Sequence, residues 1–264
     1  MKIEVLEPHG FCAGVTAALA KAERLGGGGG VVYCLHEIVH NELVVAELKR
    51  RGFVFVERVE DVPEDATILF SAHGVAPAVR AAAAARRLKV VDATCPFVEK
   101  VHRAVRDFSA RGLPVVIIGH ADHAEVKGIL GEAERAYVYP DLPPTGRFGL
   151  VSQTTMNADE VLAIAERLAA VRDFDALAEV CNATRDRQRA VRDFRGDALL
   201  VLGSANSSNT RRLCEISPVK VFRAGDAAEL RALDFTGVAT LGVTSGASTP
   251  ESFFTAALEF LKTV

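Results

Sequence analysis

Three cysteines, Cys12, Cys95 and Cys181, recur at separations of 83 and 86 residues in a chain of 264. Twenty-eight positions after each of them a polar residue ends an apolar run: His40 in VVYCLHEIVHN, His123 in VVIIGHADHAEV and Asn209 in LLVLGSANSSN. A second apolar run in each copy also breaks into small polar residues, in ILFSAHGVAPAVR, GLVSQTTMNADEV and LGVTSGASTPESF. Structural zinc takes four ligands, usually from closely spaced pairs, and none of these cysteines has a local partner. Three thiolates suit a 4Fe-4S cluster better, because they hold it while leaving one iron open to a substrate oxygen. A structural zinc and three inert buried thiols are the alternatives that spacing alone leaves open. Cys34 and Cys214 fall off the repeat, one inside a strand pattern and one inside a helix pattern, and read as packing thiols.

The residues at the strand ends describe a ligand for such a site. His40, His73 and His123 come from two copies, and Ser207, Ser208, Asn209 and Ser248 come from the third. A ring of neutral and switchable donors, joined by backbone N–H groups at helix starts, suits a diphosphate. The plainer alternatives are hydrogen-bonded structural histidines and, for GSANSSN, a turn held by its own side chains. His36, His102 and His120 lack the positional support of the other three and read as structural or supporting residues. Glu125 is the carboxylate inside the His123 cluster, and beside an anionic cluster and a diphosphate it tends to hold its proton, as a general acid must. Its alternative is a first-turn glutamate favoured by the helix dipole. Thr154 can orient a hydroxyl or water between that acid and the open iron, or it can serve as a helix N-cap.

The elements that must position these groups follow the same order in each copy. A cysteine at a strand end or turn opens a helix, in CAGVTAALAKAERL, CPFVEKVHRAVRDFSARG and CNATRDRQRAVRDFRG, where Val98, Val101 and Val105 recur at helical spacing. A β-branched strand, a helix such as NELVVAELKRRG, a second strand, an acidic turn-rich stretch, a third strand and a final helix come next. The GGGGG run at Gly26–Gly30 reads as a flexible connection, since no lysine or helix start follows it. Alternating strands and helices predict an α/β fold of three similar modules with mostly parallel sheets, at 13–94, 95–178 and 179–264, with 1–12 joining the sheet of the third. Ligands of open α/β sheets sit beyond the C-terminal strand ends, where every polar cluster lies. Pseudo-threefold packing of the modules would bring the clusters and cysteines to one central cavity.

Composition excludes several other classes. A formal charge of −3, from 31 basic and 34 acidic residues without a basic block, argues against nucleic acid as a partner. No run of about 20 apolar residues occurs, and MKIEVLEPHG lacks the apolar core of a signal peptide, so a cytoplasmic protein without membrane association is expected. Five cysteines, an odd number, fit thiolate or metal chemistry better than a disulfide framework in that compartment.

Across essentially its whole length the chain resembles the IspH/LytB family of 4-hydroxy-3-methylbut-2-enyl diphosphate reductases. The motifs that carry the resemblance are GFCAGV at Gly10, HEIVHN at His36, SAHGV at Ser71, DATCP at Asp92, HAEV at His123, QTT at Gln153, CNATRDRQ at Cys181, GSANSSN at Gly203 and GAS at Gly246. It implies a 4Fe-4S cluster on Cys12, Cys95 and Cys181, and a diphosphate site of His40, His73, His123, Ser207, Ser208, Asn209 and Ser248. It further implies that Glu125 relays protons and that Thr154 holds the substrate hydroxyl. The implied reaction is a two-electron reductive dehydroxylation to isopentenyl and dimethylallyl diphosphates, the last step of the non-mevalonate isoprenoid pathway, with ferredoxin or flavodoxin as electron donor. An iron–sulfur redox sensor, a reductase of another allylic diphosphate and a cysteine-nucleophile hydrolase are the competing readings. Two positions depart from the family pattern: Ala124, where proline is common, and Ala205, where lysine is frequent.

Overall fold

A computed structural model describes residues 1–26 and 30–264; residues 27–29, within the glycine run expected to be a flexible connection, lie outside the described residues. Strands and helices alternate along the chain. The first stretch holds β1 (Lys2–Val5), α1 (Ala13–Gly26), β2 (Val32–Leu35), α2 (Glu42–Arg50), β3 (Phe53–Val56), β4 (Thr67–Phe70), α3 (Pro77–Ala85) and β5 (Lys89–Asp92). The second holds α4 (Pro96–Ala110), β6 (Val115–Ile118), α5 (Ala124–Leu130), β7 (Ala136–Val138), β8 (Phe148–Ser152), α6 (Ala158–Ala169) and β9 (Phe174–Leu177). The third holds α7 (Asn182–Asp193), β10 (Ala198–Leu202), α8 (Ser208–Glu215), β11 (Lys220–Ala224), α9 (Ala227–Arg231), β12 (Thr240–Ser245) and α10 (Glu251–Leu261).

The strands form three four-stranded sheets of one topology, β3-β2-β4-β5, β7-β6-β8-β9 and β11-β10-β12-β1. Every pairing is parallel. Three parallel-sheet α/β modules are therefore present, as the alternation of elements predicts. The N-terminal β1 takes in its sheet the edge place that β5 and β9 take in theirs. Each cysteine consequently follows the last edge strand of one sheet and precedes the helix that opens the next stretch of chain.

Central strands are buried on both faces, as crossover helices require. All four residues of β6 and all five of β10 are buried, which explains their unbroken VVII and ALLVL runs. On α4, Val98, Val101, Val105 and Phe108 form the buried stripe, and each such side chain contributes about 1.5–3 kcal/mol of burial. Phe108 packs so closely on β8 that a Cβ on Gly149 would lie 2.2 Å from its ring, and Phe194 meets Gly242 of β12 in the same way at 2.7 Å. Both phenylalanines stand 13 positions after a repeat cysteine, so a matching aromatic-on-glycine contact seats two of the cysteine helices.

By packing, the chain divides into two compact units: Met1–Val15 with Val39–Glu47 and Asn182–Val264, and Thr16–Ile38 with Leu48–Cys181. The first contains the sheet of β10, β11, β12 and β1. The second contains the other two sheets. No helix among the described residues is long and apolar enough to cross a membrane.

Candidate active site

Each repeat cysteine stands immediately before a helix of 12 to 15 residues, where the helix dipole favours an anionic sulfur. All five cysteines are free thiols, and the three repeat cysteines are neither fully buried nor fully exposed. A backbone bond of one kind ties each of the three to a turn. The N–H of Cys12 donates to Ala247 O at 3.0 Å, that of Cys95 to Ala72 O at 3.0 Å and that of Cys181 to Thr154 O at 3.1 Å. In every case the acceptor lies two residues beyond the third strand of a sheet, β12, β4 or β8. Cys34 and Cys214 differ, since burial pushes their thiols up to about 12 and about 11. They remain protonated packing groups, as their positions off the repeat led us to expect.

In the unit holding two sheets, the candidate residues form a connected path. Cys95 is tied to the Ser71–His73 loop through Ala72, and Ser71 Oγ lies 3.3 Å from His73 Nδ1. The His73 ring meets His123 edge-on at a centroid distance of 5.6 Å. His123 is the N-cap of α5, with its Nδ1 accepting from the Glu125 N–H at 3.1 Å. A neutral His123 therefore carries its hydrogen on Nε2. Glu125 is 2% exposed, and its two oxygens accept from the Thr154 N–H at 2.7 Å and the Thr154 hydroxyl at 3.0 Å. Thr154 O in turn accepts from Cys181. The N-cap of α6 is Asn157, so Thr154 is not a cap and its hydroxyl serves the carboxyl group.

Burial raises the Glu125 carboxyl from 4.5 to about 7, against the two Thr154 hydrogen bonds, which pull it down. Folding thus favours its protonated form. The stability of the chain is free of this cost below about pH 4.5, declines as pH rises through about 7 and is level above that. Glu125→Gln keeps an acceptor for the Thr154 N–H and gives a donor to its hydroxyl. The variant is expected to gain on the wild type by on the order of 3 kcal/mol between pH 5 and pH 8.5, measured by denaturant unfolding at both pH values.

The other unit gathers the remaining candidates around the turn at 246–248. Cys12 donates to Ala247 O, the Ala247 N–H donates to Asn209 Oδ1 at 3.0 Å and Ser248 Oγ donates to His40 O at 3.0 Å. Ser207 caps α8 by accepting from the Thr210 N–H, and Ser208 and Asn209 are buried in its first turn. The equal offsets from the cysteines do not give equal helix positions. His123 is a cap and Asn209 lies inside α8, while His40 precedes Asn41, whose Oδ1 accepts from the N–H groups of Leu43 and Val44 at the start of α2.

Several supporting residues escaped the sequence reading. Gln153, fully buried, accepts from the His120 N–H at 3.1 Å and donates to Thr155 Oγ1 at 2.8 Å, bracing Thr154 from both sides. Arg187 of α7 is 2% exposed and donates to His9 O at 3.3 Å and Gly10 O at 2.8 Å, placing a buried cation under the turn that leads to Cys12. His36 pairs with Glu57 near the surface. Of the two departures, Ala205 is exposed and Ala124 is the first residue of α5. His123, at φ −70° and ψ 138°, already has the backbone that a following proline demands. Ala124→Pro is expected to stabilise the chain by about 0.4–1 kcal/mol, read by thermal unfolding.

Among the described residues no three His, Cys, Asp or Glu side chains are gathered as a ready metal site, and Cys12 lies in one unit while Cys95 and Cys181 lie in the other. The donor chemistry nonetheless fits a thiolate-held cluster: three partly exposed thiols at helix N-termini, with a buried guanidinium bound to the turn that leads to one of them.

Comparison with known proteins agrees with these motifs. The chain is 42% identical to the 4-hydroxy-3-methylbut-2-enyl diphosphate reductase of Acidothermus cellulolyticus, over 98% of this chain and 82% of that protein. It is 41% identical to the enzyme of the same name from Acidithiobacillus ferrooxidans, over 99% and 89%. Among solved structures, the E-1-hydroxy-2-methyl-but-2-enyl-4-diphosphate reductase of Plasmodium falciparum superposes with a TM-score of 0.91 at 29% identity, over 99% of this chain and 87% of that one. A structure titled (E)-4-hydroxy-3-methyl-but-2-enyl diphosphate reductase, the terminal enzyme of the non-mevalonate pathway, gives 0.71 at 32% identity over the full length of both. The sequence model of the LytB protein family matches residues 3–262, and with matches of this extent the chain belongs to that family.

Proposed function

We propose that this chain is a 4-hydroxy-3-methylbut-2-enyl diphosphate reductase, catalysing the last step of the non-mevalonate isoprenoid pathway. The observation that carries the proposal is the path from Cys95 to Cys181 through His73, His123, Glu125 and Thr154, with a carboxyl group raised to about 7 at its centre. Cys12, Cys95 and Cys181 would hold a 4Fe-4S cluster, which when bound supplies the electrons and Lewis acidity. Reduced ferredoxin or flavodoxin would deliver two electrons. Two protons enter as well, the allylic C–O bond breaks, oxygen leaves as water, and a C–H bond forms at either end of the allyl framework to give isopentenyl or dimethylallyl diphosphate.

The protein's part is binding and proton placement. His40, His73, His123, Ser207, Ser208, Asn209 and Ser248 would bind the diphosphate, as the resemblance to the family implies. Because the His123 Nδ1 accepts from α5, a neutral ring would offer its Nε2–H to a phosphate oxygen. The Thr154 hydroxyl holds the substrate hydroxyl, and Glu125 passes a proton through it. A carboxyl group near 7 is half protonated at neutral pH and so can both donate and recover the proton.

Anaerobic turnover of 4-hydroxy-3-methylbut-2-enyl diphosphate by reconstituted protein with a chemical reductant tests the proposal, with both C5 products followed. Formation of the two products supports it. An intact cluster without turnover would overturn it, in favour of a sensor or of another allylic diphosphate.

A further inference from the structure

His102 lies outside the path just described, on α4, yet its ring meets both segments that carry the path. Its side chain is 1% exposed, and Nδ1 stands 2.7 Å from Oε1 of Glu132, itself 3% exposed. Arg106 donates to the same carboxylate oxygen at 3.0 Å, so Glu132 Oε1 is the acceptor and His102 donates to it from Nδ1. The opposite nitrogen, Nε2, is buried and has no hydrogen-bond partner among the described residues. A leucine of similar bulk would bring no orphaned nitrogen, but it would lack the planar ring and the bond to Glu132 that fixes its orientation.

That unbonded edge faces two glycines. A Cβ on Gly74 would lie 2.9 Å from Nε2 and 3.3 Å from Cε1, and a Cβ on Gly128 would lie 3.3 Å from Cε1 and 3.4 Å from Nε2. Gly74 directly follows His73, in the loop after β4, and Gly128 lies one turn after Glu125 in α5. The Gly128 position is also 3.5 Å from the carbonyl carbon of Gly74, so loop and helix pack on each other beside the ring. The two segments belong to different sheets of one unit.

We propose that His102, oriented by Glu132, is a positioning residue that sets His73 of one module against His123 and Glu125 of the next. Its product is the edge-on pair of His73 and His123 at 5.6 Å. Only the kinetic part of the test rests on the reductase reading.

The test uses histidine-labelled full-length protein and follows magnetisation transfer between the His73 and His123 ring protons, alongside turnover. His102→Leu is expected to lose the ring-to-ring transfer, whereas Glu132→Gln, which keeps an acceptor for Nδ1–H, retains it. In His102→Leu kcat should fall about 10- to 100-fold, as a displaced catalytic segment does. In a His73→Ala background the added loss from His102→Leu should shrink below about threefold, because coupled residues are not additive. Undisturbed ring contacts in His102→Leu, or additive losses, would overturn the proposal. Should His102→Leu fail to fold, Glu132→Ala, which frees the ring from its anchor, takes its place with the same readings. If no diphosphate is turned over, the failure belongs to the functional reading and the ring contacts decide this one alone.

Discussion

Cys95→Ser is expected to abolish turnover, by more than about 10³-fold, the scale on which an obligatory group acts. The local structure makes this substitution a clean one. Cys95 is the N-cap of α4 with φ −62° and ψ 135°, and Pro96 follows at the first helical position. Serine is a preferred N-cap, and the bond to Ala72 O uses the backbone, so α4 keeps its start and its tether. What changes is the ligand, because a hydroxyl is neither soft nor ionised at neutral pH. Iron content, visible absorption and turnover of the anaerobically reconstituted variant check the expectation. A serine variant with wild-type turnover would return Cys95 to the status of an inert thiol. Cys214→Ser, at a thiol that burial keeps protonated, serves as the control that retains both iron and turnover.

Glu125→Gln should bind substrate with KM within about threefold of the wild type while kcat falls about 10²- to 10⁴-fold, the usual worth of a positioned acid. The amide can keep both contacts to Thr154, so the geometry survives and the transferable proton is lost. The pH profile separates the two effects. A general acid works in its protonated form, so wild-type kcat should decline as pH rises through about 7. The glutamine variant should lack that decline. Equal rates in wild type and variant would remove Glu125 from the reaction.

The sequence made the fold legible where apolar pattern and burial coincide. The unbroken runs of β6 and β10 and the Val98–Val101–Val105 stripe of α4 are sites where both faces or one stripe are dry. The edge strands β5 and β9 were not legible as strands, because KVVD and FDAL are short and partly solvated, so neither alternation nor an apolar run marks them. Much of the candidate site could be proposed from the sequence because its residues end apolar runs, where a polar side chain is conspicuous. The bracing residues were hidden for the opposite reason. Gln153, Arg187 and Glu132 act through partners 33, 177 or 178, and 30 residues away, and no local pattern records such a pairing; His102 reads from the sequence as a structural or supporting residue, but its pairing with Glu132 does not show there. The role of Asn41 as a cap was open to discovery, since an asparagine directly before ELVVAELK is a familiar helix start.

The bonds from Cys12, Cys95 and Cys181 to the carbonyls of Ala247, Ala72 and Thr154 involve main-chain atoms alone. Side chains at the three accepting positions are therefore released from the task of holding a cysteine. Two have settled on alanine, and the third carries the hydroxyl that grips Glu125. A repeated backbone can in this way tolerate an asymmetric chemistry: one module can carry an acid and its partner while the other two need only keep their thiols in place. Divergence of the copies costs the cysteines nothing so long as the turn after each third strand keeps its path.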